Sequence, residues 1–127
     1  MRHERHYTLE QANAVRPWVA RRVGWIRDAR ARLVGLGASV QKAIAELDPD
    51  RGGSYPGRDI ARSLVELSRS VGELEAVDVV LRDVDKGLID FPAIRGGQEV
   101  YLCWLVDEDE VGYWHPLDSG FAGRTPL

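Results

Sequence analysis

Cysteine occurs once in these 127 residues, at Cys103, so no intrachain disulfide can form and no zinc site can be built from cysteines. Lysine is scarce too: Lys42 and Lys86 stand against fifteen arginines. No apolar run approaches the roughly 20 residues that cross a bilayer. The opening Met1-Arg-His-Glu-Arg-His6 carries no apolar stretch of the kind that directs export. A cytoplasmic protein with no membrane partner is the expectation. No Gly-x-Ser-x-Gly elbow, phosphate-binding glycine loop or His-Glu-x-x-His run is present, which removes familiar signatures of hydrolases, nucleotide-binding enzymes and zinc proteases.

What is present has the composition of one ordinary globular domain, 44% hydrophobic and 29% charged, so a single domain over 1–127 is expected. The net charge of -3 is unevenly spread. Eight arginines face Glu4, Glu10 and Asp28 in residues 1–36, whereas the remainder is strongly acidic. Such halves attract each other, within the fold or between subunits. Nucleic acid is a weaker reading, since Arg21, Arg22, Arg27 and Arg32 are spread around a helix rather than gathered on one face.

Thr8-Leu-Glu-Gln11 has the form of a capping box and starts a helix. Pro17 either kinks that helix or begins a second one. From Val19 the apolar positions Val23, Ile26, Leu33, Val40, Ile44 and Leu47 recur in steps of three and four, interrupted at Arg30 and Gly37. The Asp48–Gly57 run, rich in Gly, Pro and Asp, reads as a mobile loop. Beyond it Ile60, Leu64, Leu67, Val71, Leu74, Asp78 and Leu81 repeat the pattern, closing at Lys86-Gly87. The two stripes predict a long antiparallel hairpin over about 8–86, with Leu47 near Ile60 and Arg30 paired to Asp78. Gly35, Gly37 and Gly72 then face one another in close packing.

After Gly87 the period becomes two. Leu88–Phe91, Glu99–Val106 and Glu110–His115 read as a three-stranded antiparallel meander, with a tail to residue 127, which makes the fold α+β. The middle strand is apolar on both faces, so it needs two covers. The helices supply one. A partner subunit is the expected source of the other, with the C-terminal tail as the alternative, and a homo-oligomer follows.

Four segments together resemble a known family: Tyr7-Thr-Leu-Glu-Gln-Ala-Asn13, Asp85-Lys-Gly-Leu-Ile-Asp-Phe-Pro92, Glu99-Val-Tyr-Leu-Cys-Trp104 and Trp114-His-Pro-Leu-Asp-Ser-Gly-Phe-Ala-Gly-Arg124. The chain is similar to the bacterial family labelled domain of unknown function 2203. That resemblance implies a small bacterial protein and brings no catalytic residues with it.

Chemistry is therefore read from the residues alone. His115-Pro-Leu-Asp118 leaves the last strand and offers either a metal-ligand pair, an oriented imidazole or a capped turn. Asp90 alternates with apolar neighbours, so it is expected to be partly buried and to find His115 or Arg124 as a partner. Glu66 and Glu73 share a helix face; either is most simply a solvated carboxylate. With His115, Asp118 and Asp90, Glu73 completes an oxygen-rich set for a divalent metal ion. Arg124 either holds a phosphate or carboxylate, or bridges to the acidic Asp107–Glu110 turn. Cys103, inside an apolar strand, reads as packing. The leading function is an oligomeric binding or interaction module for a protein or small ligand. The alternative is a metal-dependent enzyme, a hydrolase or an oxygen-using one, with a His/carboxylate site.

Overall fold

A computed structural model describes residues 1–45 and 57–127. Helix α1 spans Leu9–Ala45 and α2 spans Gly57–Ala76; strands β1 (Val80–Asp83), β2 (Leu88–Arg95), β3 (Gln98–Leu105), β4 (Tyr113–Pro116) and β5 (Thr125–Pro126) follow, with a short 3-10 turn at Phe121–Gly123. The strands lie side by side in chain order and every neighbouring pair is antiparallel. The α+β class stands as expected. The sheet has five strands rather than three, however, and the second helix stops well before residue 86. The loop expected over 48–57 lies outside the described residues except for Gly57.

The capping box forms: Gln11 N–H donates to Thr8 Oγ1 at 3.1 Å while Thr8 N–H donates to Gln11 Oε1 at 3.0 Å. Helix α1 runs unbroken through Pro17, which lies on its exposed side and neither ends nor restarts it.

Helix α2 ends in a Schellman motif. Val79 N–H reaches Leu74 O at 3.0 Å and Asp78 N–H reaches Glu75 O at 3.1 Å, with Asp78 at φ 58° in the left-handed region. Leu74 and Val79 are both buried, which supplies the apolar contact across the cap. Asp78 is thus a helix-stop residue and does not face Arg30. Arg30 instead pairs with Asp85 at 2.8 Å on the surface. The Val77–Val84 stripe, which extends the helical period in sequence, is divided among this cap, β1 and the turn after it.

The hairpin register also differs from the expected one. Glu73 meets Arg22 at 2.7 Å and Arg32 reaches Ser63 and Glu66, whereas the expected register sets Val34 opposite Glu73. The seam of α2 is Ile60, Ser63, Leu67, Ser70 and Leu74, with both serines buried. Small hydroxylic side chains bring the helices together there. The glycines do not: a Cβ added at Gly35, Gly37 or Gly72 meets nothing within 4 Å.

The main core lies between α1 and one face of the sheet. Ala12, Val19, Val23 and Ile26 of α1 join Ile89, Phe91 and Ala93 of β2 and Val100, Leu102 and Trp104 of β3. Beyond Arg30, α1 runs on beside α2, with Ala31 and Val34 still bordering the β1–β2 turn at Val84 and Asp85. Gly87 closes the β1–β2 turn at φ 65°, and a Cβ there would run into Val106 Cγ2 and lie 2.8 Å from Arg27 Nη2. Arg27 donates to the carbonyls of Val84 and Asp85, both at 2.8 Å, so it cannot withdraw freely. Gly87→Ala is expected to cost about 2–4 kcal/mol in urea unfolding, against about 1 kcal/mol for Gly96→Ala, whose φ is also positive but whose Cβ has open space. Equal losses at the two sites would mean that crowding at Gly87 contributes nothing.

Candidate functional site

Alternation along the strands sends a second set of side chains to the sheet face away from α1. Asp90 of β2 lies directly opposite Cys103 of β3, and His115 of β4 is opposite Tyr101, one pleat away on the same face. Asp90, Cys103 and His115 are each no more than 2% exposed. One ligand atom from each lies within 4.8 Å of the others.

The hydrogen bonds around this group assign its protons. His115 Nδ1 is 2.8 Å from the carbonyl of Pro116, which only accepts, so Nδ1 carries hydrogen. Nε2 is 2.9 Å from Asp90 Oδ1, and that contact requires one proton held between imidazole and carboxylate. The other carboxylate oxygen accepts from Arg82 Nε at 2.9 Å. Burial acts to lower the Arg82 pKa, but the Asp90 carboxylate outweighs it and holds the guanidinium above its ordinary value. Burial, aided by the charge of Asp90, pushes the Cys103 thiol up to about 11. Neither imidazole nitrogen is free to take a proton from that thiol. The trio is therefore not an activated cysteine nucleophile.

Asp90 and His115 thus meet, as the alternation suggested. Asp118 does not join them; it is exposed beyond β4. Glu73 is on the helical hairpin, paired with Arg22, and Glu66 is paired with Arg32. Arg124 takes the second of its two expected roles: its guanidinium forks onto Glu108 at 3.0 and 2.9 Å and stacks 3.8 Å from the centre of the Tyr113 ring and 4.6 Å from that of Phe121. The arginines weighed for nucleic acid are largely engaged within the chain. Arg22 and Arg32 hold carboxylates and Arg27 holds carbonyls.

The second cover of the sheet comes from the chain's own ends. Arg124 and Phe121 close one side, and residues 2–6 lie across the other as a strap, after which Tyr7 turns into the α1-side core against Phe91. Glu99 accepts from Arg2 N–H at 2.8 Å, His3 N–H at 3.1 Å and His6 Nε2 at 2.6 Å. His3 Nε2 meets the Tyr101 hydroxyl at 2.6 Å, Arg5 N–H reaches Asp78 at 3.1 Å and Tyr7 N–H reaches Pro92 O at 2.7 Å. This face therefore does not require a partner subunit to bury it. His3, His6, Arg82, Glu99 and Tyr101 were not singled out in the sequence. The alternation of Glu99, Tyr101 and Cys103 along β3 was the one available signal, and it is masked by the apolar residues between them.

A model of the family described as "Uncharacterized conserved protein (DUF2203)" matches residues 5–127, the strap's last residues and the closing Arg124 included. The chain belongs to this family. No curated protein matches the chain, and neither does any solved structure.

The strap is expected to respond to acid. Burial alone would raise the Glu99 pKa, but the donors from His6, His3 and Arg2 outweigh it and hold the carboxyl at about 2, below its ordinary 4.5. A depressed native pKa makes this anchoring complete above about 4.5 and progressively lost as pH falls through about 2. Amide protection factors of Arg2 and His3 should therefore drop across that window in the native chain, and should be low at all pH values in Glu99→Gln. Protection in the variant equal to that of the native chain would show that Glu99 does not anchor the strap.

Proposed function

We propose that this protein is a homo-oligomeric interaction module that associates through its helical hairpin. The observation that carries this reading is an apolar face that the described residues leave open where the hairpin extends past the sheet. Val34 borders a cleft with Val84 and Asp85 at the β1–β2 turn, and Val71 lines a neighbouring cleft with Val79–Leu81 and Val84, so both residues look to the sheet side of the hairpin. Leu64 lies two turns before Val71 on the same stripe. Val34 is 68% and Leu64 51% exposed, and the half-buried Ile60 and Leu67 lie beside them.

A second copy of the chain is the occupant that fits. Two antiparallel helices with one open apolar face are half of a four-helix bundle, and a two-fold axis completes it. Arg30 and Asp85 border this face at the β1–β2 turn as a surface ion pair, while Asp59 and Arg62 line the cleft on the other side of the hairpin with Arg32 and Glu66. A border that carries one charge of each sign can complement its own copy, whereas a polyanion would meet Asp85 unfavourably.

The same chemistry makes a direct test. Sedimentation equilibrium at micromolar concentration should give a dimer or higher oligomer for the native chain, and a monomer with unchanged circular dichroism for Val34→Asp/Leu64→Asp. A native chain that stays monomeric to about 100 μM, weaker than roughly 5.5 kcal/mol of association, would end this reading.

A further inference from the structure

We infer that Asp90, Cys103 and His115 form a binding site for a late divalent transition-metal ion of the zinc type, on the sheet face away from α1. This goes beyond the association proposed for the hairpin and shares no residue with it. Three donors of different kinds, carboxylate oxygen, thiol sulfur and imidazole nitrogen, converge from three neighbouring strands with their ligand atoms within 4.8 Å of one another. Sulfur and nitrogen donors select zinc-like ions over calcium and magnesium, which take oxygen.

A second observation is the orientation of His115. A metal-binding histidine characteristically donates its non-ligating N–H to a carbonyl or carboxylate, which fixes the tautomer and aims the other nitrogen at the ion. Here Nδ1 donates to Pro116 O at 2.8 Å and Nε2 points into the cluster. Arg82 occupies Asp90 Oδ2 and leaves Oδ1 to the site.

The distances are close to those needed. Bonds of about 2.0 Å from one ion to Nε2 and Oδ1 at a tetrahedral angle set these atoms about 3.3 Å apart, a few tenths beyond their present 2.9 Å. The charges balance as well. The ion displaces the proton shared by His115 and Asp90 and the thiol proton of Cys103, so two protons leave to solvent for each divalent ion and the net charge of the pocket is unchanged. Three protein donors leave a fourth position for water or another small ligand, as in zinc sites that carry chemistry.

The single cysteine makes the test specific. Titrating the full chain, freed of metal by chelator, with Co2+ should saturate at one ion per chain with visible bands of four-coordinate cobalt and a near-ultraviolet thiolate-to-cobalt band, which only Cys103 can produce. Cys103→Ser should lose the near-ultraviolet band, and His115→Asn should weaken binding by more than about tenfold. Zn2+ should displace the cobalt and raise the melting temperature of the native chain but not of Cys103→Ser. Saturated cobalt without the thiolate band, or binding unchanged in Cys103→Ser, would place the ion elsewhere and overturn the inference, as would failure to bind at all. Should His115→Asn not fold, the native spectrum and Cys103→Ser decide the matter without it. Neither readout depends on oligomeric state, so failure here leaves the hairpin proposal standing, and the converse holds.

Discussion

Val100, Leu102 and Trp104 point to one side of β3 and Tyr101 and Cys103 to the other, and none of the five is more than 5% exposed. A strand buried on both sides needs a layer on each, and the chain provides two of very different character. Toward α1 the cover is apolar and continuous, the ordinary solution for a helix laid on a sheet. Fully burying one of the valine, leucine or phenylalanine side chains in that layer contributes about 1.5–3 kcal/mol. On the far side the cover is two chain ends, too short to form a layer by packing alone. They are tied down instead by hydrogen bonds and ion pairs, at Glu99 for the strap and at Glu108 for the tail.

That difference explains why the far face holds so much polar chemistry. Glu108 shows it in miniature. One carboxylate oxygen accepts Leu105 N–H at 2.8 Å while both engage Arg124, and its carbonyl accepts Trp104 Nε1–H at 3.0 Å, so one residue binds the tail, the turn and the buried indole together. Burial would raise the pKa of its carboxyl; the guanidinium and the amide lower it further than burial raises it. Asp90 is the harder case, because a carboxylate 2% exposed is costly unless fully partnered. Arg82 and His115 take one oxygen each. A purely structural role for that arrangement gains little over an apolar pair of the same volume, since desolvation offsets most of the attraction. The metal site proposed for these three convergent donors would give the arrangement a role beyond packing.

Local signals in the sequence were legible where one residue type has one physical use. The Thr8–Gln11 capping box and the alternation that set Asp90 toward His115 rest on backbone geometry that side chains dictate nearby; Gly87 is left-handed too, but it closes the β1–β2 turn and not the helix expected to end there. The end of α2 was not legible, because Val77, Val80, Leu81 and Val84 continue a helical spacing while also suiting a strand, and the residue that stops the helix, Asp78, is a non-glycine at positive φ. The hairpin register failed for a related reason. Periodicity identifies an apolar stripe, and here the true seam is displaced to its edge by Ser63 and Ser70, which let the helices approach while leaving Leu64 outside. The strap was illegible in principle, since Glu99 collects donors from residues more than ninety positions away and nothing in the local sequence marks that meeting.

Displacement of the seam bears on what the hairpin is for. A helix pair that only capped a sheet would put Leu64 on the seam with Leu67 and Leu74 and end with the sheet; this one buries Ser63 and Ser70 between its helices, leaves Leu64 and Val34 outward and runs on past the β1–β2 turn. Stability within the chain is given up at the seam and apolar area is kept on the surface, an arrangement that gains only if the surface is covered. The sheet core of Ile89, Phe91, Leu102 and Trp104 stands between that surface and the Asp90–Cys103–His115 cluster. Packed cores transmit rigid-body constraint but little electrostatic change, so association at the hairpin would fix the position of the cluster without altering its charge. On the two proposals the molecule would divide into a half for contact and a half that holds a metal ion.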